Sequence, residues 1–263
     1  MKDLENVKVI NADSVEILPF FDEHLGSKET DEKMIDQKIQ YIKDHPNCYT
    51  FLGGDLIECN IYGSVGGTHG QKYQVNEQVE MMVNKLKPIK DKILFGICGN
   101  HEYRMEKSTS LDVSALICLN LDVPYFKWEC HYMLKLNSIK AKSSNEKKNI
   151  YIYAHHGTGG GGTTGGKINS IEKLHFRAPL AHVLFCGHHH INLSSRKLIK
   201  YLSQKGNLKN FIQYYVVCGS AHGDSNESYG AQKAYSPLPV GYTLTKIKLT
   251  SNDEVRCDIQ VFE

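Results

Sequence analysis

The sequence has no apolar run of 18 residues, so no helix is expected to cross a membrane. Its first residues, Met1-Lys2-Asp3-Leu4-Glu5-Asn6, contain no apolar signal segment. There is no C-x-x-C pair. Eight cysteines stand singly at 48, 59, 98, 118, 130, 186, 218 and 257, several within apolar runs such as Phe95-Gly96-Ile97-Cys98. That scatter excludes a dense disulfide framework and reads as small buried hydrophobes in a reduced compartment. Charge of one sign is also lacking: the net value is +2, which by itself does not argue for nucleic acid. No linker, repeat or low-complexity tract divides the chain. Residues 1–263 are therefore expected to form one cytoplasmic domain.

What is present is a series of short apolar runs. Val7–Ile10, Val15–Phe21, Cys48–Leu52, Ile93–Cys98, His131–Leu136, Ile150–Tyr153, Val183–Cys186, Phe211–Cys218, Tyr242–Leu249 and Val255–Phe262 read as strands. Met34, Ile35, Ile39 and Ile42 give 30–44 one apolar helical face, with Thr30 as the expected N-cap and Pro46 beyond the end. Helices are also expected over 75–86 and 111–119. Strand–helix alternation followed by a strand-rich half fits a two-sheet sandwich with outer helices.

Five motifs follow these runs. They are Asp22-Glu23-His24, Gly54-Asp55-Leu56-Ile57-Glu58, Gly99-Asn100-His101-Glu102, Ala154-His155-His156-Gly157 and Gly187-His188-His189-His190. Any one of them arises by chance, since a lone histidine is usually a surface residue. The set is harder to dismiss, because each motif ends in metal-binding side chains just beyond an apolar run. The donors are oxygen and imidazole without thiolate, a mixture suited to manganese, iron, zinc or nickel rather than a cysteine-rich structural zinc. Strand termini would fix the ligand backbones. No serine or cysteine nucleophile signature stands out.

The motifs resemble the pattern D-x-H, G-D-x-x-[DE], G-N-H-[DE], H, G-H-x-H of the calcineurin-like metallophosphoesterase superfamily, from Asp22 to His190. The resemblance implies an α/β fold, a two-sheet β-sandwich flanked by helices, with a binuclear centre at the strand C-terminal ends. It implies two divalent metal ions, manganese first, with iron, zinc, nickel or magnesium as alternatives. Asp22, His24, Asp55 and His190 would hold one ion. Asp55, Asn100, His188 and one of His155 and His156 would hold the other, with Asp55 as the bridge. Members with His-His-Pro use the first histidine, which points to His155. Members with His-Gly point to His156. The balance is set slightly toward His155, and His189 is read as a bystander.

By the same resemblance His101 acts at the leaving oxygen. Glu58 pairs with it, as an acidic residue at this offset does in related Ser/Thr phosphatases. The implied reaction is phosphoester hydrolysis by a hydroxide that two metals activate. The opening Asp22-Glu23-His24-Leu25-Gly26-Ser27 is similar to that of nuclease-type members. It tilts the substrate toward a phosphodiester, nucleic acid included. The alternatives are a phosphomonoesterase acting on a small metabolite or nucleotide, and a non-catalytic scaffold of the same fold.

Weaker features remain. The stretch Gly157–Lys167 lacks the Walker spacing and reads either as a phosphate-approaching backbone or as a surface loop. Lys140, Lys142, Lys147 and Lys148 form one basic cluster. Arg196, Lys197, Lys200, Lys205 and Lys209, with Tyr201 and Phe211 nearby, form another. The second is read as a solvated helix face or a nucleic-acid track. Arg104 reads as a surface arginine or a phosphate contact. Among histidines outside the motifs, His222 stands out because it follows a strand.

Overall fold

The computed structural model describes residues 6–64, 67–137, 147–159, 163–225, 231, 237, 239–250 and 254–263. Lys140 and Lys142 lie outside them, as does part of the glycine-rich stretch. The fold is mixed α/β, with a large central sheet and helices on its flanks. Its strands are β1 (Val7–Ile10), β2 (Ser14–Ile17), β3 (Cys48–Leu52), β4 (Ile93–Gly96), β5 (Glu129–Asn137), β6 (Lys147–His155), β7 (Val183–Cys186), β8 (Asn192–Leu202), β9 (Leu208–Ser220), β10 (Gly241–Leu249) and β11 (Val255–Phe262). The helices are α1 (Glu32–Asp44), α2 (Val75–Leu86), α3 (Asn100–Thr109), α4 (Val113–Leu121) and α5 (Thr164–Glu172). No helix among the described residues is long and apolar enough to cross a membrane.

The strands follow one hydrogen-bonded path, β1-β5-β6-β7-β9-β10-β2-β3-β4, with β8 added to β9 and β11 to β10. The two sheets expected from the sequence are thus two halves of a single path. They join where β9 and β10 share two register pairs, Gly241↔Ser220 and Tyr242↔Gly219. Gly219 makes the crossing feasible: it has φ +75°, and a Cβ there would lie 2.2 Å from the Gly241 carbonyl oxygen.

Period-two alternation places the core. Ile152, Ala154, Val183, Phe185 and Val216 meet Val15, Ile17, Phe51 and Phe95 of the other half. Phe51 sits at the centre of this layer. It stacks on Phe95 at 4.7 Å and meets Phe21 and Phe185 edge-on at 5.6 and 5.4 Å. The alternate residues Tyr153, Leu184, Tyr215 and Val217 face α5 and its continuation. Leu18, Phe20 and Leu52 face α1, α2 and α4.

β2, β3 and β4 run parallel, as do β6, β7 and β9, and two antiparallel pairings through β10 relate the sets. Their C-terminal ends therefore gather at one end of the sheet, where such folds place ligands.

Several sequence expectations change. Asp31, not Thr30, caps α1, accepting from Lys33 N and Met34 N. The Thr30 hydroxyl donates instead to the His24 carbonyl at 2.6 Å. The basic stretch from 196 to 209 is not helical. It forms the β8–β9 hairpin, whose far end is largely exposed. Gly165, Gly166 and Lys167, expected in a loop, belong to α5.

Candidate metal centre

The five motifs converge at the strand-end face. Their side chains fall into three overlapping groups: Asp22, His24 and His190; Asp55, His156 and His188; and His24, Glu58 and His101. Within each group the donor atoms lie within 4.8 Å of one another. Asp55 Oδ2 lies between the groups, 3.2 Å from His156 Nε2 and 3.9 Å from both His24 Nε2 and His101 Nε2. Asn100 Oδ1 completes the second group, 3.0 Å from His156 Nε2 and 2.8 Å from His188 Nδ1.

The backbone is bent to achieve this. Asp22, His24, Asp55, His188 and His190 all have positive φ, between 47° and 67°. Such left-handed residues are uncommon outside glycine, cost energy each, and concentrate at functional sites. His189, between two of them, has no such angle. Its Nε2 faces Ser170 Oγ at 2.7 Å, on α5, consistent with a bystander.

Of the histidine pair, His156 joins the cluster and His155 does not. Successive residues at the end of a strand point to opposite faces, so one sequence position decides the matter. His156 Nδ1 donates to the Gly53 carbonyl at 3.0 Å, which leaves the Nε2 lone pair facing Asn100 and Asp55. His155 Nδ1 instead accepts from Gly157 N at 2.9 Å, on the side of Glu129 and Arg177.

Glu58 meets His101 both through its main chain and through its carboxylate, the latter at ion-pair and not hydrogen-bond distance. Glu58 Oε2 accepts from His24 Nδ1 at 3.0 Å and is 3.7 Å from His101 Nδ1. His101 Nδ1 donates to the Glu58 carbonyl oxygen at 2.8 Å. The turn after β3 thus brings the Glu58 carbonyl and, at longer range, its carboxylate to His101. Asn60 and Arg104 extend the network: Asn60 Nδ2 donates to Glu58 Oε1 and Arg104 donates to Asn60 Oδ1. Arg104 is therefore tied into the site.

Sequence reasoning assigned no role to Glu102 beyond the motif, yet its carboxylate joins two of the turns. It accepts from Asp55 N, Leu56 N and Gly99 N at 2.9, 2.7 and 3.2 Å. A legible signal existed: Glu102 is the third residue of α3, where a glutamate reaches back to the cap backbone. Lys38 was also missed. It is buried on α1, pairs with Glu23 and lies 4.4 Å over the Phe20 ring. His222, flagged because it follows a strand, reaches the site at the end of β9. Its ring lies 4.9 Å from that of His24, and its Nε2 is 3.1 Å from Ser27 Oγ.

The buried polar groups at this face are incompletely paired. Asp22 Oδ1 is buried without a hydrogen-bond partner, 3.6 Å from His190 Nε2. His24 Nε2, an acceptor because Nδ1 donates to Glu58, faces His190 Nε2 at 3.3 Å. Burial pushes the Asp22 carboxyl well above its usual range, against the pull of His156. Burial also opposes ionisation of Asp55, but His156 and His101 hold it well below that range. Burial works against a charged His156, yet Asp55, Asp22 and Glu102 outweigh it and raise it to about 10. The donor set of carboxylate, amide oxygen and imidazole suits divalent transition ions.

The basic hairpin points away from this face. Asn192 pairs with Cys218 beside the site, whereas Lys200 pairs with Asn210, eight residues down β9 and about 26 Å distant. Lys197 bonds Glu172 at 2.7 Å. Lys167 donates to the His189 carbonyl.

No protein-family model matches the chain, and no curated protein matches it. Among solved structures it is similar to a conserved uncharacterized protein from Streptococcus pneumoniae described as a predicted phosphoesterase. There the identity is 11%, coverage is 95% of this chain and 98% of that chain, and the TM-score is 0.38. It is also similar to Vps29 of Chaetomium thermophilum, at 10% identity, 94% and 95% coverage and a TM-score of 0.40. The same protein complexed with a cyclic peptide aligns at 10% identity, 95% and 96% coverage and a TM-score of 0.35.

Proposed function

We propose that this chain is a phosphoesterase of the calcineurin-like metallophosphoesterase type, with two divalent ions held by the converged motifs. The observation that carries the reading is the position of Asp55 Oδ2 between two donor groups, each with a buried carboxylate and imidazoles aimed inward. Asp22, His24, Asp55 and His190 would hold one ion; Asp55, Asn100, His156 and His188 would hold the other. Such ions supply Lewis-acid stabilisation of phosphoryl charge and a lowered pKa for water.

The chain's own residues orient and protonate. Glu58 fixes His24 with Nδ1 donating, so that Nε2 presents its lone pair to the cluster. The Gly53 carbonyl does the same for His156. His101 is held by the Glu58 carbonyl through Nδ1–H, which leaves Nε2 directed into the site. As imidazolium it delivers a proton to the departing alcohol oxygen when the P–O bond breaks. A diester is favoured over a monoester on the nuclease-type opening from Asp22 to Ser27. The basic hairpin gives that preference no support, because it lies at the far end of the sheet.

The test is metal analysis with hydrolysis of bis-p-nitrophenyl phosphate and p-nitrophenyl phosphate. Asp55→Asn is expected to lower metal content and turnover together. His101→Ala is expected to keep the metal and slow turnover by roughly 10²–10⁴-fold. A fully metallated protein that hydrolyses neither ester would leave the scaffold reading in place. Metal loss in the His101 variant would show that His101 is a ligand.

A further inference from the structure

The chain's single tryptophan stands beside this centre and is only half covered. Trp128 is 45% exposed. It precedes Glu129, which pairs in register with His155, so it lies at the strand end where His156 enters the cluster. Chain geometry puts its Cα within about 13 Å of that histidine's. Its neighbour Lys127 has φ +60°, a strained angle for a lysine, and accepts from Cys98 N at 2.6 Å, two residues before Asn100. This strained turn is anchored to the same strand end as the motif.

A second ring completes the feature. Tyr103 meets Trp128 edge-to-face with centroids 4.7 Å apart. Lys127 Nζ and Lys107 Nζ lie 5.4 and 5.3 Å from the Trp128 and Tyr103 rings. Tyr103 is three residues beyond Asn100 on α3 and shares its face. His101 lies about 160° away around the helix. The rings therefore flank the Asn100–His156–His188 side, not the side where His101 meets the leaving oxygen.

We infer that Trp128 and Tyr103 form a stacking platform for a nucleobase, and that the substrate is a nucleoside phosphodiester whose retained nucleotide lies on that platform. The inference rests on the phosphoesterase reading and narrows its substrate. An exposed indole beside a phosphoryl site offers a planar apolar surface within reach of a phosphate's substituent; Lys127 is itself paired with Glu106 and Asp112, so the attraction rests on the rings and not on its charge. Hydrolysis adds water across the P–O bond on the His101 side. The alcohol departs with the proton, and a nucleoside monophosphate remains on the platform as product.

The experiment uses the metal-loaded protein and two probes that differ by the base, adenosine 5′-monophosphate and ribose 5-phosphate, titrated by calorimetry. The nucleotide is expected to bind about 5- to 150-fold more tightly, the range of one base–aromatic stack. It should also quench the fluorescence of the sole tryptophan. Trp128→Ala should bring the ratio of the two affinities close to one, and Trp128→Phe should restore part of it. Metal content and urea midpoint establish that both variants are folded. Equal affinities in the unaltered protein, or a preference that survives Trp128→Ala, would overturn the platform. If the protein hydrolyses bis-p-nitrophenyl phosphate but shows no base preference, this inference fails alone. If it binds neither probe and hydrolyses no ester, the phosphoesterase reading fails with it.

Discussion

Gly99→Ala adds one carbon at the point where two motif turns touch. Gly99 has φ −95° and ψ 176°, angles that alanine adopts freely, so the effect is steric rather than conformational. The added Cβ would lie 2.1 Å from both Asp55 N and Asp55 Oδ1, and 2.8 Å from Glu102 Oε2. Carbon–oxygen contacts relax at about 3.3 Å, so one turn must retreat by roughly 1.2 Å. The His101 N to Asp55 Oδ1 bond at 2.8 Å and the Asp55 N to Glu102 bond at 2.9 Å span this gap and would break or stretch. Losing one or two buried bonds to charged groups, at about 1.5–3 kcal/mol each and partly relaxed, gives an expected cost of roughly 2–4 kcal/mol. Displacing Asp55 should also weaken metal binding by about 10- to 100-fold, the range for losing a partner that orients a ligand. Urea unfolding of the metal-free protein reads the first effect, and metal titration the second. Gly165→Ala is the control: nothing lies within 4 Å of its added Cβ, and alanine in α5 should stabilise by about 0.5–1 kcal/mol. A Gly99→Ala protein with the parental urea midpoint and metal affinity would refute the proposed contact between the turns.

Two further outcomes are expected. His156→Ala should lose metal from the second group, while His155→Ala should retain it, as elemental analysis of the purified variants would show; the reverse result would return the ligand role to His155. Metal affinity should rise with pH, because His156, raised to about 10 in the metal-free protein, must give up its proton to a cation. The sign is fixed: the imidazolium stabilises the metal-free fold fully below about pH 6.5, and that contribution is lost as pH climbs toward 10, where metal meets no competing proton. Calorimetry in buffers of different ionisation enthalpy should detect proton release, and a buffer-independent heat near pH 7 would contradict it.

The chain's periodicities determined much by themselves. Alternating and continuous apolar runs marked nearly every strand, and the α1 and α2 faces were legible at 3.6-residue spacing, because burial on one face is a local property. The five motifs identified the donors, since the chemistry of aspartate, asparagine and histidine is carried by residue type. α3 was not legible: apart from Tyr103 and Met105 its residues are polar, and only Glu102 is buried along it. The basic hairpin read as a helix because its exposed edge strand lacks a continuous apolar face. Tertiary structure alone decided the contacts that depend on distant chain segments. Whether His155 or His156 points inward depends on a one-residue register, and a slip of one reverses the face. That Glu58 holds His24 through its side chain and His101 through its main chain depends on the turn after β3. That His222 reaches the centre and Trp128 lies at the strand end where His156 enters it, while Lys200 lies at the far end, depends on strand direction and pairing. Sequence spacing records which groups exist. Which donor faces which acceptor is settled only when the strands pair, because hydrogen bonds and metal sites act over a few ångström and composition carries no distances.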